Sequence, residues 1–154
     1  MLDLERIRRV IVKVCSGVDC VYALLFGSRA IGYTWDYSDV DIAIRFKDSS
    51  NCLNKALNLM SSIEDELGVH VDVIPLNIAD TIVKYEAYSQ GIVPFSIDNS
   101  RYLVDYINAV DEYLDFEYSF NKFYKLTVEE MRMPTPGVKA RIGFWRAIKR
   151  LQKF

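Results

Sequence analysis

The segment Cys20-Val-Tyr-Ala-Leu-Leu-Phe26 carries no charged or amide side chain at any position and stops abruptly at Gly27-Ser28. A strand-length run that is apolar on both faces reads as a buried strand, so the rest of the chain has to cover it. The flanking segments have the periods to do so. Leu4, Ile7, Val10, Ile11 and Val14 recur at helical spacing across residues 2–15, and Ser16-Gly17-Val18-Asp19 follows as a stop and turn. Val40, Ile42 and Ile44 alternate with Asp39, Asp41, Ala43 and Arg45, the period of a second strand over residues 39–46. Leu53, Ala56, Leu57, Met60 and Ile63 predict a helix over residues 51–66 that Gly68 closes, before a third strand at residues 69–74 that Pro75 ends. A helix over 78–90, a short strand over 92–97 and a long helix from Ser100 to about Lys125 complete the series. Strands alternating with helices predict an α/β layered domain, α+β in some schemes.

The 154 residues, 51% of them apolar and 26% charged, suffice for one ordinary domain with a real core and exclude a disordered or collagen-like chain. A formal charge of −2 argues against a uniformly basic nucleic-acid-binding surface. The amino terminus lacks a basic-then-apolar profile, and no apolar run approaches the roughly 20 residues that span a bilayer. A soluble cytoplasmic protein without a membrane partner is the expectation. Cys15, Cys20 and Cys52 form no CxxC pair and read as reduced core thiols.

Charge is distributed unevenly. Residues 98–130 hold three basic and eight acidic groups, whereas residues 131–154 hold seven basic and no acidic ones. Pro134 and Pro136-Gly137 separate the two, and Phe144, Ile148 and Leu151 recur at helical spacing beyond them. The expected organisation is a domain of residues 1–125, including the long helix, and a basic helical extension of residues 126–154. That extension has three readings: packing on the domain or a partner, contact with RNA or DNA, or a solvated helix.

Chemistry concentrates in Gly27-Ser28, Asp39-Val40-Asp41 and Val71-Asp72-Val73. Gly27 and Ser28 lie where a strand breaks into a turn whose amides, with the Ser28 hydroxyl, suit phosphate oxygens. Arg29 follows directly, either as a further phosphate contact or as an exposed turn arginine. Asp39 and Asp41 share one face of a strand, about 7 Å apart at Cα. Asp72 joins them if its strand lies alongside in matching register. Three such acids repel one another unless divalent cations neutralise them, and an all-oxygen donor set suits Mg²⁺ or Mn²⁺. Zinc is disfavoured, since His70 is the sole histidine and no cysteine cluster exists; His70 is expected to pack beside the third strand without a catalytic partner. Two ions about 3.5–4 Å apart would serve phosphoryl or nucleotidyl transfer.

At these residues the chain resembles the DNA polymerase β-like nucleotidyltransferase superfamily and, within it, the minimal nucleotidyltransferase (MNT) family. The resemblance extends over approximately residues 8–120, including Tyr85-Glu86 followed by Gly91, and Glu112-Tyr-Leu-Asp-Phe116. It implies a small mixed sheet flanked by helices, with a helical carboxyl-terminal extension. It also implies that Asp39 and Asp41 bind both metals, and that Asp72 binds the catalytic metal and helps deprotonate the attacking hydroxyl. Gly27 and Ser28 would hold the β and γ phosphates of ATP. Ile31 stands where many relatives carry a further basic residue. Many family members are antitoxins that transfer AMP from ATP to a tyrosine of a HEPN-domain ribonuclease toxin, so a homo- or hetero-oligomer with such a toxin is implied.

Two alternatives remain at this level. One is nucleotidyl transfer to a small molecule of the aminoglycoside type, for which only about 30 residues follow the acidic helix to build an acceptor pocket. The other is an antitoxin that acts by docking alone, suggested by the aromatic, acidic stretch Tyr102–Tyr124.

Overall fold

A computed structural model describes residues 3–27 and 39–132. Its elements follow the predicted order: α1 (Leu4–Ser16), β1 (Cys20–Phe26), β2 (Val40–Phe46), α2 (Cys52–Leu67), β3 (Val71–Pro75), α3 (Thr81–Gln90), β4 (Ile92–Ser96) and α4 (Asn99–Arg132). Asp3 and Asp80 start α1 and α3 by accepting the backbone N–H of Arg6 and Val83. Gly68 ends α2 in the left-handed region at φ 70°, which favours glycine. The long helix runs past Lys125 to Arg132, and the part of the expected basic helix from Met133 onward lies outside the described residues.

The strands form one mixed sheet in the order β3-β2-β1-β4. β1 pairs antiparallel with β2 and β4, while β2 and β3 run parallel. The two hydrophobic-rich strands take the middle and the shorter two the edges, where Pro94 of β4 is tolerated. Helices cover both faces. On one, Ile7, Val10, Ile11 and Cys15 of α1 and Ala56, Leu59 and Ile63 of α2 pack on Ala23, Leu25, Val40, Ile42 and Ile44. On the other, Ala87 and Tyr88 of α3 and Ala109 of α4 pack on Tyr22, Leu24, Phe26 and Ala43.

The second core is more polar. Tyr22 Oη donates to Asp105 Oδ2 at 2.8 Å and lies 2.5 Å from Tyr88 Oη, and Arg45 Nε stands 3.6 Å from the same carboxylate. Burial pushes the Tyr88 phenol up to about 12 and the Tyr22 phenol further, so both stay neutral and available as donors. All three cysteines are buried and unpaired, as expected. The chain divides into two compact units, Met1–Leu114 and Asp115–Phe154, and everything described so far except the far half of α4 belongs to the first. Among the described residues no helix is long and apolar enough to cross a membrane.

The α2 face permits a paired test. Ile63 is fully buried and Leu53 is 56% exposed. Ile63→Ala should lower the unfolding free energy by about 2–5 kcal/mol through lost burial and a residual cavity. Leu53→Ala should change it by about 0.5 kcal/mol or less. Urea denaturation midpoints of the two variants measure the difference.

Candidate active site

The parallel ladder between β2 and β3 pairs Val40 with Val71 and Asp41 with Asp72. Side chains alternate along a strand, so burying Val40, Ile42 and Val71 against α1 and α2 turns Asp41 and Asp72 together to the opposite face. Extending the register by one residue sets Asp39 beside His70, and Val40 N donates to His70 O at 3.2 Å. Two short sequences, Asp39-Val-Asp41 and His70-Val-Asp72, therefore lie side by side at one end of the sheet. β1 runs the other way, so its carboxyl end arrives at the same place, with Phe26 paired to Asp41 and Gly27 just beyond.

Gly27 has a specific steric job. Its φ is +74°, and a Cβ built on it would overlap Asp41 Oδ2 and approach Asp41 Cγ to 3.1 Å. The Asp41 carboxylate occupies the space that any other residue's side chain would need. The glycine read from sequence as a platform for phosphate is thus also the seat of a carboxylate. Ser28 and Arg29, the other two expected phosphate contacts, lie outside the described residues.

Asp39 and Asp72 are exposed and Asp41 is half-buried. Burial raises the Asp41 carboxyl above its ordinary value, and the negative charges of Asp72, Asp39 and Glu86 raise it further. Glu86, on α3, is a fourth acid whose charge acts on Asp41. Such mutual repulsion is the electrostatic environment that a divalent cation relieves.

His70 departs from the sequence expectation. It does not pack beside the strand; its side chain is 62% exposed and its Nδ1 lies 2.7 Å from Glu64 Oε1. The same Glu64 oxygen accepts the Val71 backbone N–H at 3.0 Å, which holds the carboxylate below its ordinary range, and the His70 bond adds to the effect. That bond, followed by the charges of Asp39, Glu64 and Asp72, raises the His70 imidazole. Nε2 of His70 stands 3.9 Å from Asp72 Oδ1. One ligand atom each from Asp39, His70 and Asp72 lies within 4.8 Å of the others; Asp41 is not part of that group. A signal for His70 was present in the sequence, because the His-x-Asp step repeats the Asp-x-Asp step of β2. Glu64 left no such signal, since it reaches His70 only because the left-handed turn at Gly68 folds the helix end back onto the strand.

The chain matches the family model "Polymerase beta, Nucleotidyltransferase" over residues 10–100. No curated protein matches its sequence significantly. Among solved structures, it is similar to a chain of a toxin–antitoxin crystallised with AMP-PNP, with 19% identity, a TM-score of 0.69, and coverage of 79% of this chain and 98% of the other. It is also similar to a chain of the tri-AMPylated Shewanella oneidensis HEPN toxin in complex with its MNT antitoxin, with 17% identity, a TM-score of 0.66 and coverage of 80% and 98%. The toxin–antitoxin MntA-HepT gives 17% identity, a TM-score of 0.65 and the same coverage. At these identities the likeness is one of fold.

Two predictions follow from the Gly27–Asp41 contact. Gly27→Ala should destabilise the protein by about 1–3 kcal/mol, through the positive φ and the displaced carboxylate together; chemical denaturation reads it. In chelator, Asp41→Asn should melt a few degrees above wild type, because a raised carboxyl pKa marks a charge that folding penalises. The sign with pH is set by that raised value. Asp41 carries its penalty only when ionised, so the advantage of the variant should be largest near pH 7. It should shrink as pH falls through the raised Asp41 value toward the ordinary carboxylate range. Melting curves of both proteins at stepped pH follow that difference.

Proposed function

Because the chain belongs to the polymerase beta nucleotidyltransferase family, we propose that it transfers AMP from ATP to a tyrosine hydroxyl of a HEPN-domain ribonuclease toxin and thereby acts as that toxin's antitoxin. The observation that carries this reading is the in-register pair Asp41 and Asp72, with Asp39 beside them and Gly27 closing over Asp41, at one end of the sheet. A scaffold that only docked would have no use for mutually repelling acids gathered there. The acceptor is suggested by the similar structures, one a toxin–antitoxin with AMP-PNP and one a tri-AMPylated HEPN toxin with its MNT antitoxin.

In this reading Asp39 and Asp41 would hold two Mg²⁺ ions, and Asp72 would bind the catalytic one. When bound, the ions neutralise the carboxylates and stabilise the attacking and leaving oxygens of an in-line displacement. Gly27 and Ser28, with Arg29 beside them, hold the β and γ phosphates. The tyrosine oxygen forms a bond to the α-phosphorus as the bond from that phosphorus to the β-phosphate oxygen breaks. The hydroxyl proton passes to Asp72, and pyrophosphate leaves. The half-buried setting of Asp41 lets its charge act in a lower dielectric than the exposed Asp39 and Asp72 experience.

Purified protein, a HEPN partner, Mg²⁺ and ATP labelled on the α-phosphate should give labelled toxin. Asp41→Asn should reduce the rate by about 10³-fold, the equivalent of several kcal/mol of transition-state stabilisation. Undiminished label transfer by Asp41→Asn would refute the reading. A variant that transfers no label yet neutralises the toxin fully in cells would assign the antitoxin effect to docking.

A further inference from the structure

We infer that His70 is itself a metal ligand of this site, through Nε2, and that the resulting nitrogen-containing donor set favours Mn²⁺ over Mg²⁺. The inference rests on the reading of the Asp39–Asp41–Asp72 cluster as a metal centre and adds to it a residue and a preferred ion.

Three observations carry it. The group of potential ligand atoms that gathers is Asp39, His70 and Asp72, all within 4.8 Å of one another. Ligands of one six-coordinate ion with bonds of about 2.1–2.2 Å are about 3 Å apart when adjacent and about 4.3 Å when opposed. The 3.9 Å from His70 Nε2 to Asp72 Oδ1 falls between these, so a small side-chain adjustment brings both onto a common ion. The other ring nitrogen is already committed: Nδ1 is held at 2.7 Å by Glu64, which is itself anchored by the Val71 backbone N–H at 3.0 Å. A carboxylate on one imidazole nitrogen is the arrangement that orients metal-binding histidines and makes the free nitrogen a better donor. Finally, the register sets His70 beside Asp39, so its position comes from the backbone ladder as well as from a side-chain rotamer.

The choice of ion comes from donor chemistry. Mg²⁺ takes oxygen ligands and gives up water reluctantly, so an imidazole in its shell is a poor exchange. Mn²⁺ accepts carboxylates, phosphate oxygens and an imidazole together in an octahedral shell. Zinc binds most nitrogen- and oxygen-donor sites more tightly than Mn²⁺, so the inference concerns the choice between Mn²⁺ and Mg²⁺.

The test uses Mn²⁺ itself as the probe, on the full chain without nucleotide. Pulsed electron paramagnetic resonance of the wild-type Mn²⁺ complex should show modulation from a directly bound nitrogen, and uniform nitrogen-15 labelling of histidine should change its frequency. His70→Ala should abolish that modulation and weaken Mn²⁺ binding by about tenfold or more, with Mg²⁺ affinity changed by about threefold or less, both read by calorimetry. His70→Asp, an all-oxygen set, should narrow the preference for Mn²⁺ over Mg²⁺. Wild-type Mn²⁺ binding without nitrogen modulation would overturn the inference and leave the carboxylate site standing, with His70 reduced to a counter-charge. Equal Mn²⁺ affinity in wild type and His70→Ala would do the same. If Asp39→Asn and Asp72→Asn bind Mn²⁺ as tightly as wild type, or wild type binds none, both the inference and the metal-centre reading fall.

Discussion

The pairing of Val40 with Val71 and of Asp41 with Asp72 along a parallel ladder is the constraint from which the site is built. Valine and isoleucine side chains of β2 and β3 enter the core beneath α1 and α2, and the alternation of the strand then leaves the aspartates no other face. A slip of one residue would bury an acid and expose a valine, at a cost in both terms, so the apolar core holds the register of the polar site. The same core therefore stabilises the fold and sets the distance between acids that need an ion.

That arrangement stores electrostatic tension. Asp41 is the focus, since it is half-buried, lies in the field of three other acids, and is pressed into the space left open by Gly27. Functional sites commonly hold groups whose charge the fold alone does not satisfy, because a ligand then gains the most by arriving. Farther along the same face of the sheet the polar groups are handled differently: Tyr22, Tyr88, Arg45 and Asp105 satisfy one another with protein partners. One end of that face is electrostatically closed and the other open, and the open end lies where the carboxyl end of β1 meets the starts of β2 and β3.

Much of this was readable in the chain. Strand and helix positions followed from periodicity, with α2 closing at Gly68 and β1 coinciding with the apolar run Cys20–Phe26. Helix α4 extends to Arg132, beyond the end at about Lys125 that its sequence suggested. Asp39, Asp41 and Asp72 stood out because two lie two residues apart on an alternating strand and the third is flanked by valines. The contact between His70 and Glu64 was not readable, because five residues, among them the left-handed Gly68, lie between them.

The amino-acid sequence determined which residues are apolar on which face, where the chain must turn, and hence that acids sit at the start of two strands. Local periodicity and glycine chemistry are properties of neighbouring residues, and they need no other part of the molecule. Tertiary structure alone decided that β3 lies parallel beside β2 in the register that joins Asp41 to Asp72, that Gly27 seats the Asp41 carboxylate, and that Glu64 aims His70 at the cluster. Those are contacts between segments distant along the chain, made only when burial of the shared core brings strand ends and a helix end to one place.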